Sequence, residues 1–324
     1  QAWAKLHPGS YRCNSGLTVG NYVNLDMSGV LLMYFGSRAS SGAFLTIGET
    51  GGAIETGTFY MPAIQGSPFD FDMPANEVNF AGIHLKNCGS SIFYGDYTYA
   101  FGIGLLLKSD GDSYVAHNHF INFKFSIVKT AIEFFGTSPI GWVNENVFTN
   151  CNWTATSTEN GWGTLIGIHF TGEVGGYNGQ NNNRFYGFCF QPAGLATDYE
   201  LDIGDTVVAH QRYINIDNLQ EYICVTGGVV ATVPTELDGD TSSPDANGVV
   251  FTHVGHYFRV PVHFNNAGGT NLFHGCRWEY GYGPFAMITQ FEDGQNWSNV
   301  RGNEMHAYEY GEINSRNKPA IDEY

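Results

Sequence analysis

Asn271-Leu272-Phe273-His274-Gly275-Cys276-Arg277-Trp278 places Phe two residues after Asn, Gly two residues later and an aromatic at the eighth position. The same phrase, with Asn or Gly at its fifth position, occurs at Asn118 to Phe125 (NHFINFKF), Asn146 to Trp153 (NVFTNCNW) and Asn183 to Phe190 (NRFYGFCF). The starts lie 28, 37 and 88 residues apart, the last about three times 29. Recurrence at this period marks a solenoid, in which one turn buries its apolar face only against its neighbours. Within the phrase, apolar and polar residues alternate as in a short strand, with Asn or Gly where a tight bend is needed. No segment holds a 3.6-residue apolar rhythm. The expected fold is therefore all-β, a single strand wound into a parallel β-helix.

Composition agrees with many short strands joined by turns. Charged residues make up 14% of the 324, well below the usual quarter, while 42 are Gly and 15% are aromatic. A net charge of −17 with only 14 scattered Lys and Arg excludes the clustered cations that a nucleic-acid or anionic-membrane partner needs. There is no apolar run long enough to span a bilayer, so no membrane insertion is expected. The six cysteines form no CxxC pair, and Cys151 and Cys276 share one place in the repeat, with Cys88 expected to join them as stacked free thiols. The eleven histidines include no HExxH, so neither metal nor cofactor is expected. The start at Gln1 is that expected of a processed product or a fragment.

In order along the chain, residues 1–35 form an N-terminal cap and first turn, and 36–311 form the coil. Segments 61–77, 154–163, 171–183 and 231–248 are read as loop insertions, since they concentrate Pro, Gly and polar residues. Residues 312–324 form a polar tail. No linker marks a second domain.

The residues after each closing aromatic are Ser126, Thr154, Gln191 and Glu279. Glu221 lies 58 residues before Glu279 and Glu309 lies 30 after it, as if two turns and one turn away. Strand alternation turns these positions outward, and successive turns lie about 4.8 Å apart. Two carboxylates so close cannot both ionise freely, which separates an acid from a base or nucleophile as glycoside hydrolysis requires. Glu279, Glu309 and Glu221 are the catalytic candidates, with Asp217, Glu292 or Asp293 as a further carboxylate. Trp162, Tyr177, Tyr199, Tyr282 and Trp297, in Gly- and Asn-rich loops, suit the apolar faces of sugar rings, and Arg277 stands beside Glu279.

His7-Pro8-Gly9-Ser10-Tyr11, a short strand, and then Val23-Asn24-Leu25 ahead of a Gly resemble the opening turn of the pectate-lyase-like β-helix in phage tailspikes. With the repeat phrase and the acidity, the chain resembles the central domain of a tailspike depolymerase. That resemblance implies right-handed winding, a homotrimer, a bacterial surface polysaccharide as substrate and a place on a virion tail or outside the cell. The leading expectation is an endo-acting glycoside hydrolase. The alternatives are a polysaccharide lyase, drawing on Lys108, Lys124, Arg212, Arg277, Tyr213 or His274, and a non-catalytic glycan-binding spike.

Overall fold

The computed structural model describes residues 2–20, 23–36, 42–48, 53–66, 79–109, 114–136, 141–155, 165–172, 180–192, 201–215, 220–237, 240–256, 259–265, 271–279, 288–291, 299–301 and 304–306. Among these the chain is all β, and its sheets are mostly parallel. A nine-stranded parallel sheet adds its strands in chain order, from Ala2–Lys5 and Val23–Asp26 through Thr58–Tyr60, Ile92–Tyr94, His119–Ile121, Val147–Thr149, Arg184–Tyr186 and Leu272–His274 to Asn299–Arg301. A fifteen-stranded sheet follows it within each repeat. Its first half includes Ala63–Gln65, Asn152–Ala155, Cys189–Pro192, Arg277–Glu279 and Glu304–His306; its second half includes Phe80–Lys86, Leu165–Gly172 and Arg259–Asn265. Tyr97–Ser109 and Lys124–Gly136 run through both halves. A short three-stranded sheet, Ile54–Glu55, Cys88–Gly89 and Val115–Ala116, precedes the nine-stranded one. The strands that one repeat contributes to these sheets are called a rung below, and they pair with those of the repeats before and after.

The bends between sheets fall where the sequence places them. Asn122, Asn150, Gly187 and Gly275, the fifth residues of the four phrases, have φ of 61°, 53°, 61° and 61°. Asn and Gly tolerate this left-handed region, which most side chains avoid. A second bend uses whatever residue precedes the first position of the phrase: Ser90, ahead of Ser91, and His117, Glu145 and Asn182, each ahead of an Asn, all have φ between 51° and 58°. At a third bend, inside the two long strands, Ala100 and Ile127 have φ of 60° and 48°. A β-branched residue is strained there.

Two ladders fill the interior. Phe59, Phe93, Phe120, Phe148, Phe185 and Phe273 stack ring on ring at centroid separations of 4.6, 5.1, 4.6, 4.9 and 4.7 Å. The first residue of each phrase forms the other ladder. Asn118 Nδ2 donates to Asn146 Oδ1 (3.1 Å), Asn146 Nδ2 to Asn183 Oδ1 (3.1 Å), and Asn183 Nδ2 to Asn271 Oδ1 (3.2 Å). Each Oδ1 also accepts the backbone N–H of the Asn before it, and each Nδ2 donates to a carbonyl oxygen of Cys88, Val115, Val143 or Gln180. All four amides are fully buried and satisfied, as buried polar groups must be.

Several expectations need correction. The 88-residue interval is one rung: Arg184 pairs with Leu272 and Phe185 with Phe273. The extra length is an insertion that leaves after Pro192 and rejoins at Arg259, containing antiparallel sheets (Arg212–Asn215, Gln220–Thr226 and Val250–His256; Thr206–Val207 with Gly228–Val229). It has a separate core of Leu201, Val207, Tyr213, Tyr222, Cys224, Val230, Val249 and Phe251. Within segment 1–35, Ala2–Lys5 and Gly9–Cys13 pair in register with Val23–Asp26 and Val30–Tyr34. Within 61–77, Ala63–Gln65 is a strand between Val30–Tyr34 and Tyr97–Ser109. Thr154 and Ala155 still belong to a strand, as do Thr171 and Gly172. Cys88 lies in the short sheet beside Ile54 and Val115, away from Cys151 and Cys276.

Candidate functional site

The polar column expected from the sequence lies on the first half of the fifteen-stranded sheet. Phe125, Trp153 and Phe190 are fully buried and pair across successive rungs, so the residues on either side of them in each strand face outward. One such column runs Tyr99, Ser126, Thr154, Gln191, with Ser126 buried and the other three half-buried. The other runs Tyr97, Lys124, Asn152, Cys189 and Arg277, and the backbone position paired with Arg277 on the next strand is Glu304. Phe190 pairs with Trp278, and Glu279 follows Trp278 as Gln191 follows Phe190.

A small hydrogen-bond network fixes this face. Asn152 Nδ2 donates to Gln191 Oε1 at 3.1 Å. The Thr154 hydroxyl lies 2.9 Å from Asn152 Oδ1 and 3.2 Å from Gln191 Oε1, and its one proton can serve either acceptor. Lys124 and Arg277 are both exposed in their column, with Asn152 and Cys189 between them. They are three rung spacings apart, about 14 Å, too far to hold one carboxylate together.

The three glutamates do not form one column. Glu279 pairs with His306, one rung on, whereas Glu309 lies outside the described residues. Glu221 sits in the antiparallel insertion, opposite Ile214 and Gly255, because the sequence around it belongs to the inserted unit and not to a rung. Asp217, Glu292, Asp293, Trp162, Tyr177, Tyr199, Tyr282 and Trp297 also lie outside the described residues. Arg277, however, pairs with Glu304, which the sequence reading missed. Glu279 and Glu304 thus occupy positions two residues out of step on neighbouring parallel strands, about 8 Å apart by strand geometry. A signal for this existed: Ser298-x-Val300-x-Gly302-x-x-Met305 is a degenerate copy of the phrase, 27 residues after Asn271.

Among the alternative lyase residues, Tyr213 is committed elsewhere. Its hydroxyl accepts Val208 N–H at 2.8 Å and donates to Gln211 Oε1 at 3.0 Å, and burial raises its pKa. Lys108 lies over the Phe135 ring, 5.3 Å from its centroid. Among the described residues no group of three His, Cys, Asp or Glu is placed to hold a metal ion.

The insertion carries its own cleft, about 230 Å³, lined by Thr232, Pro234, Glu236, Ser242, Asp245 and Phe251 among others. No residue singled out from the sequence lines it. Asp245 is a structural staple there. Its carboxylate accepts the N–H groups of Ala231, Thr232, Asn247 and Val249, which lowers its pKa despite some opposing desolvation.

No protein-family model matches this chain, and neither the curated proteins nor the solved structures give a match.

Proposed function

We propose that the chain winds as a single right-handed parallel β-helix, assembles as a homotrimer on a virion tail or outside the cell, and hydrolyses a bacterial surface polysaccharide internally. Glu279 and Glu304 are the carboxylate pair in this reading, with Glu304 taking the role first read for Glu309. One observation carries it. The half-buried pair Thr154–Gln191 stands in register on the line that leads to Glu279, with Asn152 and Arg277 beside it. Such a column offers hydroxyl and amide groups at a regular spacing, which suits a chain of repeating sugars. The positions of Glu279 and Glu304 are separated by about the distance at which two carboxyls leave room for an attacking water, as in inverting hydrolysis.

Two further features favour the same face. Two strands of this face, Asn152–Ala155 and Cys189–Pro192, end just beyond the column. The wide separation of Lys124 and Arg277 favours hydrolysis over elimination, which needs a neutralised uronate.

The test is digestion of purified capsular, O-antigen and exopolysaccharide preparations, read by new reducing ends and product mass. Glu279→Gln and Glu304→Gln should each slow cleavage by about a hundredfold or more while the fold and glycan binding persist. Undiminished cleavage in both variants would reject the pair. Products carrying an unsaturated uronide would establish the lyase reading, and binding without cleavage the non-catalytic spike.

A further inference from the structure

A second edge of the rung stack carries an exposed indole with polar side chains near it in sequence and on neighbouring rungs. It runs along the short three-stranded sheet and the bend after it. Tyr114 pairs with Trp142 on the next rung, and Trp142 is 55% exposed. The Tyr114 ring crosses Gly89, where an added Cβ would meet Tyr114 Cε2 at 2.6 Å, and its hydroxyl donates to Glu55 Oε1 at 2.7 Å. That bond ties Tyr114 across two rung spacings and raises its pKa to about 12, with desolvation as the next cause. Beside Trp142, on its own rung, Asn144 Nδ2 donates to Asn181 Oδ1 at 3.3 Å, while Asn144 Oδ1 is enclosed and accepts no hydrogen bond. Glu145 pairs with His117 Nδ1 at 2.9 Å, both side chains well exposed.

We propose that this edge is a binding site for a neutral glycan, with one pyranose ring stacked on Trp142 and its hydroxyls taken by Glu145, Asn144 and Asn181. The indole offers an exposed apolar platform with polar groups around it, which a sugar's C–H face and its hydroxyls match. Glu55 and Glu145 set the class: they accept hydroxyl protons and repel a uronate or sialate. From Glu55 to Asn181 the edge spans four rung spacings, about 19 Å, long enough for an oligosaccharide rather than a single sugar. The backbone is held as firmly as the platform, since Val115 N–H donates to Trp142 O at 2.7 Å and His117 N–H to Asn144 O at 3.3 Å.

This site rests on the glycan reading of the chain but not on its catalytic pair, so binding is measured in the Glu279→Gln background. The probes are neutral hexose and N-acetylhexosamine tetrasaccharides, with a hexuronate tetrasaccharide as counter-probe, titrated calorimetrically. At least one neutral probe should bind, Trp142→Ala should weaken it tenfold or more with thermal stability unchanged, and the hexuronate should not bind. Gly89→Ala provides a second variant: it displaces Tyr114 from Glu55 without removing either aromatic, and should also weaken binding. Unchanged affinity in both variants, no neutral probe bound, or equal binding of the hexuronate would each overturn the proposal. Cleavage that survives Glu279→Gln and Glu304→Gln would instead reject the Glu279–Glu304 pair and leave this site standing.

Discussion

At the residue scale, the fold depends most on asparagines that look unremarkable in a sequence. Asn146 accepts two hydrogen bonds from Asn118 and gives two, to Asn183 and Val115, in a fully buried position. Asn146→Ala leaves both Asn118 donors without an acceptor, and should cost on the order of 2–4 kcal/mol in chemical denaturation. Asn146→Asp keeps the acceptor but loses both donors and buries a charge. Burial raises that carboxyl above its unfolded pKa, so its penalty should be full at neutral pH and shrink as pH falls toward about 4. An Asp variant as stable as wild type at neutral pH would contradict the ladder. The phrase showed these residues as a repeat, but not that their amides are the interior hydrogen-bond chain. Asn is common at bends, and only the coordinates distinguish the bend Asn122 from the ladder Asn118.

At the element scale, strand and bend positions were legible because their residues recur. The buried position after the bend alternates large and small, Phe123, Cys151, Phe188, Cys276, so rings and thiols share one column. Burial raises the pKa of Cys88, Cys151 and Cys276 to about 12. A raised folded-state pKa means the contribution to stability is whole below the unfolded thiol pKa and is lost as pH rises through the folded one. Stability should therefore decline between about pH 8.5 and 12, and Cys151→Ala with Cys276→Ala should flatten that decline. An unchanged alkaline profile in the double variant would show that these thiols are not its source. Rungs whose phrase had decayed were not legible. At Ser91-x-Phe93-x-Gly95 the amide is replaced by a hydroxyl, and Ser91 Oγ still accepts Gly57 N–H at 3.0 Å. At Ser298-x-Val300-x-Gly302 the Phe itself is gone, which is why Glu309 was read in place of His306 as the residue facing Glu279.

At the scale of the whole molecule, the sequence reading failed where a multiple of the period imitated three turns. Strand-like stretches such as Arg212–Asn215 and Gln220–Thr226 lie in that interval, and nothing in their pattern tells a parallel rung from an antiparallel hairpin. With one face buried and one exposed, side chains alternate in either kind of strand. The consequence for function is direct. Glu221 left the candidate column with the inserted unit, while Gln191 and Glu279 became neighbours one rung apart. The candidate site exists as a continuous face only if the rungs close across the insertion.

That closure can be measured by a double-mutant cycle on Phe185 and Phe273, whose rings stack at 4.7 Å although 88 residues separate them. Unfolding free energies of Phe185→Leu, Phe273→Leu and the double variant should give a coupling of about 0.5–1.5 kcal/mol, as for other aromatic pairs in contact. Were two further turns wound between them, the rings would stand about 14 Å apart, and the two substitutions would simply add. Zero coupling would contradict the register and, with it, the site.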